Sequence, residues 1–164
     1  MVDRLSFRWS YIIAPVVVFL ISLILCAYFF HLLPAEVAVR FDVEGAPEMW
    51  LGRGATMLWM ILPQLLLVLV AWGIAWGATR LDTRWGWARG GGVRARRMVS
   101  LMGNVVALPQ IILLFAILDI LSYNAFQTHI LPMWIFLIVI LGLATIALLV
   151  LAIIIFLRAR RTMF

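Results

Sequence analysis

Three long stretches without a single Asp, Glu, Lys or Arg dominate this chain: Trp9 to Ala35, Gly54 to Thr79 and Met98 to Leu118. Each exceeds the length of about 18 residues that a membrane-spanning helix needs. A fourth uncharged stretch, Ile120 to Leu157, is too long for one pass, but Ser122, Tyr123, Asn124, Gln127, Thr128 and His129 interrupt it and Pro132 follows. Pro is tolerated in a first helical turn, so a fourth helix is expected from Ile130 to Leu157. The composition agrees: 66% apolar and 12% charged, against about 45–50% and 25% for a soluble domain. At about 20 residues per pass, 164 residues hold four or five passes and leave no room for a soluble catalytic domain.

The charges lie between these runs, and their sides can be assigned. The N-terminal segment, the segment from Arg80 to Arg97 and the C-terminal tail together carry +9, whereas the segment from Glu36 to Arg53 with Asp119 carries −3. Eleven Arg against two places both termini in the cytoplasm by the positive-inside rule. The net charge of +6 and pI near 11 therefore describe topology, and no nucleic-acid partner is expected. The first run is longer than a usual signal h-region and lacks a small-x-small cleavage site. Leu25 before Cys26 is too large for a lipoprotein signal, so the run is read as a retained helix.

The expected fold is thus an all-α membrane protein with four transmembrane helices and a short β-strand in the first outer loop. Residues 1–79 form a two-helix unit, 80–97 a basic cytoplasmic loop, and 98–164 a second two-helix unit with a basic tail. The strand comes from strict alternation: Val37, Val39, Phe41 and Val43 against Glu36, Ala38, Arg40, Asp42 and Glu44. Gly45 then supplies a bend, Ala46, Pro47 and Glu48 continue the turn, and Trp50 suits the membrane interface. A lone strand leaves its backbone unpaired, so this one is expected to join a strand of a second copy or partner, or to lie against the outer helix ends.

Leu33-Pro34, Val37, Arg40-Phe41-Asp42, Gly45, Pro47-Glu48, Trp50, Gly52-Arg53 and Leu62-Pro63 together resemble the membrane family called domain of unknown function 1648. The likeness covers about residues 10 to 75. That family places Leu-Pro, a hydrophobic residue, His-Phe-Asn, Gly, an acidic residue and Trp in an outer loop between two helices. It also forms the N-terminal part of SdpI-like proteins, so the resemblance implies immunity to a secreted peptide and sequestration of a repressor. Arg40 stands where the family has His, and Asp42 where it has Asn, so the resemblance implies no metal or proton chemistry at position 40. The outer-loop residues Pro34, Val37, Arg40, Phe41, Asp42, Gly45, Pro47, Glu48 and Trp50 are the recognition candidates.

Polar groups inside spans are costly and functional by default. Gln64 beside Pro63, Asn104, Gln110 beside Pro109, and Asp119 near the outer end of the third run are the candidates here. Each proline frees a carbonyl four residues earlier, Trp59 and Val105, which nearby amides could satisfy across helices. Asn104 and Gln110 stand about 120° apart around a helix, and Gln110 and Asp119 about 180°, so no straight polar stripe forms. Interhelical hydrogen bonding is the expected role, with Asp119 at the interface. Gly73 and Gly77 form a GxxxG pair that allows close approach, either inside the bundle or to a second copy.

His31 and His129 both fall at the outer surface with Glu36, Glu44, Glu48 and Asp119, a set that could hold zinc, but their spacing offers no local ligand pair, and no metal or other cofactor is expected. In the inner segment Gly90-Gly91-Gly92 lacks the Lys and Ser or Thr of a phosphate loop. Arg84, Arg89, Arg94, Arg96 and Arg97, interleaved with Trp85 and Trp87, are expected to contact anionic headgroups of the bilayer. No Ser-His-Asp set, paired catalytic carboxylates or HExxH motif occurs. The expectation is a non-enzymatic multi-pass protein of the cell inner membrane that recognises an extracytoplasmic peptide or partner through its outer loop. Such a protein is expected as a monomer or homodimer; the alternative is a small accessory subunit of a larger membrane complex, its four helices packed on neighbours and its strand completed by a partner.

Overall fold

The computed structural model describes residues 6–42, 44–85 and 92–130, with five further positions at 135, 138, 141, 142 and 145. For 82–85 and 92–94 only the backbone is described. The chain is mostly helical, with one two-stranded sheet. After a 3-10 turn at Trp9–Tyr11, the elements are α1 (Ile13–Phe29), β1 (Glu36–Phe41), β2 (Pro47–Gly52), α2 (Arg53–Trp85), α3 (Gly92–Asn104) and α4 (Ala107–Phe126).

α2 is the longest element because nothing within its uncharged run stops it. Its buried positions, Met57, Met60, Gln64, Ala71 and Ala75, recur at helical spacing and form one continuous seam. It does not end at Thr79 as the charge pattern implies but continues through Trp85, while α3 begins at Gly92. The basic segment is therefore largely helical extension, with 86–91 outside the described residues.

The third uncharged run is divided. α3 ends at Asn104, Val105 and Val106 form a turn, and α4 begins at Ala107. Pro109 has no N–H for the Val105 carbonyl, and that carbonyl instead accepts the Leu108 N–H at 3.0 Å, which tightens the chain into a break. Beyond Leu118 the helix runs on for two more turns, so Ser122, Tyr123 and Asn124, expected to interrupt it, are helical. Ser122 and Asn124 are buried inward, and α4 ends at Gln127, whose left-handed backbone (φ 57°) brings its N–H to the Tyr123 carbonyl at 2.8 Å. The expected fourth pass, Ile130 to Leu157, lies outside the described residues apart from Ile130 and five helical positions.

The segment between α1 and α2 contains two strands where one was expected. β1 and β2 pair antiparallel within the chain, Glu36 opposite Gly52 and Ala38 opposite Trp50, so no second copy is needed to complete β1. The turn explains why. Asp42 Oδ1 accepts the N–H groups of Glu44 (2.9 Å) and Ala46 (2.7 Å), its carbonyl accepts the Gly45 N–H, and Gly45 takes φ +87°. This side-chain turn reverses the chain before Pro47, which opens β2 instead of prolonging the bend. Alternation alone detects β1, but β2 is mostly exposed and shows no period of two.

Two apolar clusters hold the helices. One, beside the hairpin, joins Cys26, Phe29 and Leu33 to Val37, Met57, Met60, Ile117 and Leu121; the other, toward the opposite end of the helices, joins Tyr11, Ile12, Ala71, Ala75, Val99 and Val106. Two helical stretches, Arg53–Leu81 and Ala95–Phe126, are long and apolar enough to cross a membrane, whereas α1 is a shorter apolar helix. Only 22% and 33% of the most apolar part of each is buried within the chain. Leu58, Trp59, Leu66, Leu69 and Val70 along α2, and Ile24 and Tyr28 on α1, stand exposed.

Candidate functional site

The hairpin sits on the end of α1, the start of α2 and the end of α4, and a few polar contacts fix it there. Asn124, one turn from the end of α4, grips a whole peptide unit of β1. The Ala38 N–H donates to Asn124 Oδ1 at 2.8 Å, and Asn124 Nδ2 donates to the Ala38 carbonyl at 2.8 Å and to the Ile120 carbonyl at 2.8 Å. The amide thus mimics a third strand for one residue of a buried edge. Val37 and Ala38 are both fully buried, and Val37 belongs to the apolar cluster beside the hairpin.

Under the turn lies a second contact. The Asp119 carboxylate accepts the Ile130 N–H through Oδ1 (2.9 Å) and holds His129 Nδ1 through Oδ2 (3.0 Å). With the carboxylate as acceptor, Nδ1 carries the hydrogen of this bond. The ring stacks on Tyr123 (4.6 Å) and meets Phe41 edge-on (4.9 Å), and Phe41 meets Tyr123 edge-on (4.6 Å). His129 Nε2 is buried against Gly45 and has no hydrogen-bond partner among the described residues. Asp119 is therefore half-buried and paired to His129, not simply an interfacial carboxylate.

Arg53 closes the base of the hairpin. Its N–H donates to the Ala35 carbonyl at 3.0 Å, while its guanidinium lies 4.8 Å from the centre of the Phe30 ring and reaches the Phe30 and Leu33 carbonyls, each at 3.4 Å. A cation at the C-terminal end of α1 complements the helix dipole there.

The sequence-derived recognition residues now divide into two groups. Val37, Phe41, Asp42, Gly45 and Pro47 build the hairpin and its seat. Pro34, Arg40, Glu48 and Trp50 are exposed, with Met49 beside them, and Arg40 Nε meets Glu48 Oε2 across the strands at 3.1 Å. His31 lies exposed after α1, edge-on to Phe30. Among the described residues no three of His, Cys, Asp and Glu gather as a metal site requires.

Deeper in, the amides bond differently from expectation. Gln64 Nε2 donates to the Gln110 carbonyl (3.0 Å) and Gln110 Nε2 donates to the Gln64 carbonyl (3.1 Å), so neither serves the carbonyls of Trp59 or Val105. Each Oε1 is buried and unpartnered among the described residues. Asn104 ties α3 to the start of α1: Oδ1 accepts the Ala14 N–H at 2.9 Å, and Nδ2 donates to the carbonyls of Ser10 (3.1 Å) and Ser100 (2.9 Å). Ile12, at the N-cap of α1, has no capping side chain, and Asn104 supplies one from another helix.

Among the described residues the close helix seam of α2 does not run through Gly73 and Gly77. Ala71 and Ala75 occupy that seam, about 200° around the helix from Gly73 and Gly77, where nothing described lies within 4 Å of an added Cβ. The glycine that needs its missing side chain is Gly103, where a Cβ would collide with the Tyr11 carbonyl. In the C-terminal half of α2, Trp72 and Trp76 stack at 5.8 Å and Arg80 lies 4.4 Å from the Trp76 ring centre. Of the lipid-contact arginines, Arg96 is partly buried and Arg97 exposed, whereas Arg89 and the side chains of Arg84 and Arg94 lie outside the described residues.

No family model, no curated protein and no solved structure matches the chain.

Proposed function

We propose that this is a multi-pass inner-membrane protein with cytoplasmic termini that recognises a peptide or partner outside the cytoplasm through its outer hairpin. The observation that carries the reading is the seating of that hairpin. Asn124 on Ala38 and His129 beneath Gly45 fix the strands, leaving Arg40, Glu48, Met49 and Trp50 displayed on a rigid surface. A preformed surface loses little freedom on binding, which favours recognition. The Arg asymmetry supports the orientation, and the exposed apolar flanks of α1 and α2 suit lipid. The likeness to the domain of unknown function 1648 family supports an immunity or sensing role. The role needs no catalytic group.

Replacing Arg40, Glu48 and Trp50 together by Ala leaves the seat intact and tests the reading. Cells carrying this variant are expected to match a deletion strain in sensitivity to envelope-active peptides, and sensitivity equal to wild type in both strains would contradict it. The open face at Gly73 and Gly77 favours a second reading, a subunit whose partner helix packs there. That reading predicts a defined larger complex on purification from native membrane.

A further inference from the structure

The tripeptide Leu-Pro-Gln occurs twice, at 62–64 in α2 and at 108–110 in α4. α2 begins beside the hairpin and α4 ends beside it, so the helices are antiparallel and the two copies meet head to tail. Each glutamine donates to the other's carbonyl at nearly the same distance, 3.0 and 3.1 Å, as an approximate twofold relation requires. The pair lies between the two apolar clusters, four residues beyond Met60 and seven before Ala71.

Both side chains are fully buried, and both Oε1 atoms have no donor among the described residues. Buried polar groups of native proteins that lack a protein partner characteristically hold ordered water. The α3–α4 break at Val105 and Val106 also lies just ahead of Gln110. Charge selects the ligand. No acid occurs in α2 before Asp82, and Asp119 is about 14 Å further along α4, bonded to His129. A cation between the two amides would lack a compensating carboxylate, whereas a neutral donor needs only the acceptors already present.

We propose that the Gln64–Gln110 crossing is an internal hydration site, in which water donates hydrogen bonds to the two Oε1 atoms between dry clusters. The inference does not depend on what the hairpin recognises.

Water-edited solid-state NMR of uniformly 13C,15N-labelled protein in phosphatidylcholine and phosphatidylglycerol bilayers tests it without substitution. The chain has three glutamines, and exposed Gln127 is the wet reference while fully buried Ala75 is the dry one. Water polarisation is expected at the carboxamides of Gln64 and Gln110 within about twofold of the rate at Gln127, as for an ordered water in direct contact. A cross-peak between Gln64 Nε2 and the Gln110 carbonyl should accompany it. Transfer as slow as at Ala75 would overturn the proposal. So would fast transfer without the cross-peak, which would describe an open aqueous crevice.

Discussion

Asn124 is the residue on which the hairpin end of the molecule depends, and nothing in its neighbourhood of the sequence announces it. Among Ser122, Tyr123 and Gln127 it reads as part of a polar interruption. Its role comes from an Ala38 peptide 86 residues away, a partner that pattern cannot supply. Asn124→Ala leaves the Ala38 N–H and carbonyl buried without partners and should cost roughly 2–4 kcal/mol, read as a fall in thermal unfolding temperature in detergent. Exchange of the Ala38 amide should rise with it; unchanged exchange would contradict the clamp. Gly103 makes the complementary case. Gly103→Ala forces α3 away from the Tyr11 backbone and should destabilise by about 1–3 kcal/mol, whereas Gly73→Ala should stay within about 0.5 kcal/mol. Equal effects in the two variants would contradict the close approach at Gly103. The motif was legible, but which small residue is crowded depends on helix rotation, and the seam was set by Met57, Met60, Gln64, Ala71 and Ala75.

The hairpin and the divided α3–α4 stretch show what decides an element here. Alternating Val37, Val39 and Phe41 made β1 legible, and Gly45 marked the bend. β2 escaped because Glu48, Met49 and Trp50 are successively exposed and carry no inward period. The turn itself depends on one side chain, Asp42, whose Oδ1 holds two N–H groups. Asp42→Ala should loosen it by about 1 kcal/mol, while Asp42→Asn keeps an acceptor and should lie close to wild type. Hydrogen exchange at Glu44 and Ala46 is the readout, and equal acceleration by both variants would mean that charge, not the turn geometry, is what matters. The break before α4 was half legible: Pro109 marks a missing donor, but its effect falls on Val105, which then bonds Leu108.

At the scale of the whole molecule the long uncharged runs were the strongest signal and remain so. They imply helices whose sides need not be buried within the chain, and α2 bears this out with exposed leucines and tryptophans along most of its length. Run boundaries mark where charge resumes, not where a helix stops, which is why α2 passes Thr79 and α4 passes Leu118. Polar residues hidden between helices, Gln64 with Gln110 and Asn104 with Ala14, join the bundle at points where apolar pattern is silent. The central claim is a membrane bundle that displays its acidic hairpin outside the cytoplasm and keeps its arginine-rich segment within. Cysteine accessibility decides it most directly. In a Cys26→Ser background, Glu44→Cys in the hairpin turn should react with a membrane-impermeant maleimide in intact bacterial spheroplasts, and Gly90→Cys only after permeabilisation. Reaction at Gly90→Cys without permeabilisation, or protection of Glu44→Cys, would contradict the account.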